Sequence, residues 1–106
     1  MQKNKLIKKF REKLQRGNCV VGSWVQICDP SIVEIVCSYK FDWVTFDLEH
    51  GIFSPYNISN MVRAAELKGK IKLARLPNHN KEFCSQVLDA GCDGVIIPNV
   101  KNAKEL

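Results

Sequence analysis

The chain has no apolar run approaching the roughly 20 residues needed to cross a bilayer as a helix. Its first residues, "MQKNKLIKKFREKLQRG", lack the apolar core of a secretory signal. They also contain Glu12 and no Ser, which argues against an Arg-rich transit peptide. The five cysteines, Cys19, Cys28, Cys37, Cys84 and Cys92, are odd in number and form no C-x-x-C pair. That usage disfavours a disulfide framework and implies reduced thiols, most of them small core residues, in a cytoplasmic protein with no membrane partner. Linker-like, repetitive or low-complexity stretches are missing too, so the 106 residues read as one domain with a modest core.

Charge is present but unevenly placed. Seven of the sixteen basic residues fall within residues 1–16, opposed there only by Glu12, so the remainder of the chain is close to neutral. Leu6, Ile7, Phe10 and Leu14 recur at helical spacing within the same stretch. The reading is a leading amphipathic helix over residues 1–17, packed through its apolar stripe with lysines in solvent. Neither an aromatic-interleaved basic patch nor a reader motif accompanies it, so nucleic acid is not an expected partner.

Beyond residue 17, short β-type runs alternate with helical ones. "CVVGSWVQ", "WVTFDLE", "IKLARLP" and "GVIIPNV" read as strands over 19–26, 43–49, 71–77 and 94–100. Between them "DPSIVEIVCSYK", "SPYNISNMVRAAELKG" and "NKEFCSQVLDAG" read as helices. Asp29 and Ser54 stand at capping positions, each followed by a proline, and Gly69 and Gly91 close the second and third of these helices. "NAKEL" begins another. Strands alternating with helices of this length predict an α/β fold with a parallel sheet. Two architectures fit: an open doubly wound sheet, or part of a (β/α)₈ barrel. A G-x-G-x-x-G loop is absent after the first strand, where "GSWVQICDP" stands, which weakens a dinucleotide-binding version of the open sheet.

The two-residue period of a strand sorts the polar groups. In the second strand Trp43, Thr45, Asp47 and Glu49 share one face, and Val44, Phe46 and Leu48 share the other. The apolar set suits a helix layer, so the polar set faces a barrel interior or a crevice. Arg75 ends the third strand on the face of Ile71 and Leu73. Both architectures place ligands at the C-terminal ends of their strands. Glu49, His50 and Arg75 are therefore expected to gather on one edge.

These stretches also resemble a known family. "FDWVTFDLEHG" is similar to the strand-end signature of the HpcH/HpaI aldolase family. "GSWVQICDPSIVEI" resembles the family's first strand and helix, "LARLPNHN" its arginine-bearing third strand, and "VLDAGCDGVIIPNV" its third helix and fourth strand. The likeness runs from about Leu6 to the end of the chain with order and spacing kept.

What the resemblance implies is a class II, metal-dependent pyruvate aldolase on a TIM (β/α)₈ barrel of the phosphoenolpyruvate/pyruvate type. Residues 1–106 would be its N-terminal half, the leading helix followed by βα units 1–4. Such enzymes cleave 4-hydroxy-2-oxo acids to pyruvate and an aldehyde. By matching position, His50 would be the base, Asp89 the acid paired with it, and Arg75 the group holding the pyruvyl oxygen. Asp47 and Glu49 would support the site and Trp24 would line it. The family's metal ligands come from later strands, so no metal ligand is expected in this chain, and the Mg²⁺ or Mn²⁺ of a complete enzyme would be held beyond residue 106. A 2-oxo acid and an aldehyde are the expected small-molecule partners, with a homo-oligomeric assembly. A chain of this length, lacking half a barrel wall, is expected to be nearly inactive alone. The competing readings are a non-catalytic half-barrel or interaction module and, within the lyases, a citrate-lyase-like enzyme acting on acyl thioesters.

Overall fold

The computed structural model describes residues 3–51 and 57–105. Helix α1 (Lys3–Gln15) leads into β1 (Gly22–Val25), α2 (Pro30–Cys37), β2 (Trp43–Asp47), α3 (Ile58–Leu67), β3 (Ile71–Arg75), α4 (Lys81–Asp89) and β4 (Gly94–Ile96), with a 3₁₀ turn at Ala103–Glu105. The four strands form one sheet in the order β1-β2-β3-β4, every pair parallel. This is the alternation expected of (β/α) barrel units, and among the described residues β1 and β4 each pair on one side only.

Local chemistry sets most boundaries. Asp29 caps α2 by accepting a hydrogen bond from the Ser31 N–H at 2.9 Å, with Pro30 at the first helical position. Asn80 caps α4 in the same way, accepting from the Glu82 N–H. Gly69 follows α3 with φ +69°, the left-handed conformation that glycine adopts without steric cost. The capping role expected of Ser54 and the helix-opening role of Pro55 lie outside the described residues. Gly22 has a different constraint: a Cβ there would collide with the Trp43 ring beside it. The fourth strand is shorter than its apolar run suggested, ending at Ile96 just before Pro98, which has no N–H to give a ladder.

The core lies between the sheet and helices α2 to α4. Val25, Val44, Phe46, Ala74 and Leu76 alternate onto that side and are buried with Val33, Cys37, Ile58, Met61, Val62, Ala65 and Val87. Burying a side chain such as Phe46 completely stabilises the fold by about 1.5–3 kcal/mol. Lys72 shares this face and is only 2 % exposed, its ammonium 3.2 Å from Asp93 and 3.7 Å from Glu66 of α3. The thiols follow the apolar pattern: Cys37 and Cys92 are buried, Cys28 and Cys84 pack against the cluster, and Cys19 is exposed. Burial pushes the Cys92 thiol up to about 12, with the neighbouring Asp93 charge adding to the effect.

Helix α1 lies across the end of the sheet where strands begin. None of its residues is fully buried. Leu6, Ile7 and Phe10 are half-buried and Leu14 is 50 % exposed, so the apolar stripe is only partly covered. Ion pairs fasten it at both ends: Lys3 to Asp93 at 3.5 Å, and Lys13 to Asp42 at 2.7 Å. Asp42 and Asp93 are the residues that enter β2 and β4. The Lys13 hydrogen bond holds the Asp42 carboxyl below the usual carboxylate range.

Candidate active site

The opposite end of the sheet is organised by one buried carboxylate. Asp47 is the last residue of β2 and is fully buried. The register places Asp47 beside Arg75 on the same face, and Thr45 one step inward beside Trp24 and Leu73. Arg75 grips Asp47 in bidentate fashion, Nε donating to Oδ1 at 3.1 Å and Nη2 to Oδ2 at 2.6 Å. The Trp24 indole N–H and the Gln26 carboxamide each donate to Oδ2 at 3.0 Å. The backbone N–H groups of Glu49 and His50 both donate to Oδ1 at 3.0 Å, folding the chain into a tight turn after the strand. Gly51 completes that turn, donating to the Asp47 carbonyl at 3.0 Å where a Cβ would strike the same oxygen.

Burial alone would push the Asp47 carboxyl up. The Arg75 hydrogen bond, the His50 N–H, and the Trp24 and Gln26 donors outweigh it and hold the group well below the usual carboxylate range. Asp47 is therefore an anion at neutral pH, with hydrogen bonds to both oxygens. It is an anchor, unsuited to moving protons.

Arg75 is what the anchor holds. Its hydrogen bond with Asp47 keeps the guanidinium charged, the Trp24 ring lies 5.0 Å from its central carbon, and Glu49 Oε1 lies 3.4 Å from Nε. Trp24 is itself braced edge-on by Trp43, with ring centroids 6.2 Å apart. The Arg75 side chain remains 24 % exposed, so a fixed, planar cation faces solvent at the strand ends. His50 Nε2 lies 3.4 Å from the same Glu49 Oε1, and its imidazole is 66 % exposed. His50, Glu49, Arg75, Trp24 and Asp47 thus occupy one rim.

Asp89 does not join them. It ends α4, which runs antiparallel to the strands, so it is exposed at the end of the sheet where β4 begins. An Asp89–His50 pair is not formed within this chain. The carboxylate facing the imidazole is Glu49. Two rim residues were missed from the sequence. Gln26 lies two residues past Trp24, so the two-residue period of a strand would have placed it on the face of Trp24. Asn99, just beyond β4, donates from Nδ2 to Glu49 Oε2 at 3.5 Å, and nothing in its local sequence announces that contact.

Metal fit is poor here. Among the described residues no group of three or more His, Cys, Asp or Glu side chains could hold a metal ion. Asp47 has no free oxygen, and Glu49 is shared by three neighbours.

A family model described as HpcH/HpaI aldolase/citrate lyase matches residues 21–106, covering every strand and the whole rim. The chain belongs to the HpcH/HpaI aldolase/citrate lyase family. Among curated members, a 4-hydroxy-2-oxovalerate aldolase of Novosphingobium aromaticivorans is 30% identical over 100 residues, covering 93% of this chain and 38% of the relative. A hydroxypyruvate/pyruvate aldolase of Roseovarius nubinhibens is 30% identical over 96 residues, covering 91% of this chain and 37% of the relative. The solved HpcH/HpaI aldolase of Desulfitobacterium hafniense superposes with a TM-score of 0.79 at 30% identity, covering 90% of this chain and 37% of that one. The chain therefore spans well under half the length of these HpcH/HpaI relatives. Among the described residues no helix is long and apolar enough to cross a membrane.

Proposed function

We propose that this chain carries the arginine-and-histidine portion of a pyruvate aldolase site acting on 4-hydroxy-2-oxo acids. The observation that carries the reading is Arg75, locked by Asp47 and stacked against Trp24, on the rim that also bears His50. In this reading Arg75 binds the C2 oxygen of the oxo acid. His50 takes the C4 hydroxyl proton, the C4–O electrons form the aldehyde carbonyl, and the C3–C4 bond breaks. Its electron pair passes into the enolate, whose charge falls on the C2 oxygen beside Arg75. A rigid, always-charged guanidinium serves this step because it needs no reorganisation as the charge develops. An imidazole serves as base because its ordinary pKa lies close to neutrality.

A divalent cation, Mg²⁺ or Mn²⁺, is expected of the complete enzyme with ligands from outside this chain, and no step above runs through it. The same reading makes a 2-oxo acid and an aldehyde the partners, and a homo-oligomer in the cytoplasm the working form.

Titrating pyruvate into the ¹⁵N-labelled chain tests the proposal. The Trp24 indole and Arg75 Nε resonances should shift together, and Arg75→Lys should weaken binding at least tenfold. Resonances unmoved by pyruvate would overturn it. Pyruvate release from a 4-hydroxy-2-oxo acid, with or without added Mg²⁺ or Mn²⁺, should be far slower than by a full-length relative.

A further inference from the structure

Asp47 Oδ2 is shared by three donors. Arg75 Nη2 approaches it at 2.6 Å, and the Trp24 indole and the Gln26 carboxamide each at 3.0 Å. The Gln26 carboxamide and the Arg75 guanidinium therefore stand within two hydrogen-bond lengths of each other. Gln26 is the residue after β1, and its backbone packs against the turn that follows β2. A Cβ on Gly51 would come 3.1 Å from both the Gln26 Cα and the Gln26 carbonyl oxygen. The side chain is thus carried on backbone that the rim itself holds.

The direction of the carboxamide follows from what each atom can do. A carboxylate only accepts hydrogen bonds, so the Gln26 NH₂ faces Asp47 Oδ2 and the amide oxygen, Oε1, is turned away from it. Gln26 is exposed while Asp47 beneath it is fully buried, which sets Oε1 on the open side of the rim. Arg75 is aimed the same way. Its Nε and Nη2 are engaged by Asp47, and Nη1 lies at the edge away from that carboxylate. One buried anion therefore fixes, side by side, a charged donor and a neutral acceptor.

We propose that Gln26 is a specificity-determining residue: its Oε1 accepts a hydrogen bond from a hydroxyl at C3 of the oxo acid whose C2 oxygen Arg75 holds. The inference rests on the aldolase reading above and narrows its substrate. C2 of a 2-oxo acid has two carbon neighbours. The C1 carboxylate has no proton to give and is repelled by an amide oxygen, so the matching donor belongs on C3. A methyl there, as in pyruvate, displaces water from Oε1 and puts nothing in its place. A hydroxyl restores the lost bond. The preferred substrates are then 3,4-dihydroxy-2-oxo acids. Cleavage between C3 and C4 gives the aldehyde and an enolate that, on taking a proton at C3, becomes hydroxypyruvate in place of pyruvate.

Titrating three acids separately into the ¹⁵N-labelled chain tests this, with the Trp24 indole and Arg75 Nε resonances reporting binding. Hydroxypyruvate should bind about three- to tenfold more tightly than pyruvate, the net effect of one hydrogen bond. 2-Oxobutanoate carries a methyl where hydroxypyruvate carries its hydroxyl, and should bind no more tightly than pyruvate. Gln26→Met keeps the reach of the side chain and removes the acceptor. It should erase the preference for hydroxypyruvate, while the Trp24, Arg75, Glu49 and His50 donors still hold Asp47. The comparison of the three acids in the unsubstituted chain decides the matter even if that variant does not fold. The inference is overturned if hydroxypyruvate binds no more tightly than pyruvate, or if 2-oxobutanoate matches hydroxypyruvate. It is equally overturned if a folded Gln26→Met chain keeps the preference. Pyruvate binding without any preference would remove this inference and leave the aldolase reading in place, whereas resonances unmoved by all three acids would remove both.

Discussion

Each end of the sheet is built around a buried aspartate facing a strand-borne cation, and the two ends use that pair differently. At the strand starts Asp93 meets Lys72, whose side chain is 3 % exposed and points into the helix layer. At the strand ends Asp47 meets Arg75, which lies on the other face and keeps 24 % of its surface. Lys72 and Arg75 are three positions apart, an odd offset, so the pleat sends them to opposite sides. The chemistry differs accordingly. Lysine's point charge lies buried between Asp93 and Glu66. Arginine spends only two of its nitrogens on Asp47, and the fork holds its plane fixed while the rest looks outward. The inner pair is structural, and the rim pair is a presented charge.

The comparison breaks most visibly at Asp47. Asp47→Ala should leave Arg75 with a single 3.4 Å neighbour and free four further donors, destabilising the fold by about 3–5 kcal/mol in urea titration. Asp93→Ala should cost less, about 1–3 kcal/mol, because Glu66 remains 3.7 Å from Lys72. If the two costs were equal, the multiplicity of donors at the rim would not matter.

Acid sharpens the contrast. The folded Asp47 carboxyl lies below its unfolded value, so its stabilisation is complete above about pH 4 and is lost as pH falls through the folded value. Urea midpoints should therefore decline below about pH 4 in the native chain, and Asp47→Ala should flatten that decline. The smallest effect belongs to α1. Lys13→Ala removes an exposed ion pair to Asp42 and should cost about 0.2–1 kcal/mol, a difference that high salt erases.

Much of this was legible beforehand for a physical reason: strands and caps are local. The two-residue period set Asp47 and Glu49 on the polar face of β2 and Arg75 with Ile71 and Leu73 in β3, and the Asp29–Pro30 pair marked where α2 begins. Lys72 was not legible, since a lysine in an apolar strand shows its buried partner only after the turn before β4 folds back. Asn99 escaped for the same reason. Asp89 is a different case. Its role comes from likeness to the family by position, and the direction of α4 sets it at the far end of the sheet within a single chain.

The outermost strands also bear on how the chain can be handled and rebuilt. Among the described residues β1, four residues long, and β4, three residues long, are the edge strands of the sheet, each with one strand neighbour. Concentrated stocks should stay clear of conditions that favour lateral stacking. A designer wishing to graft further βα segments beyond β4 starts with a ladder already pointing in the required direction.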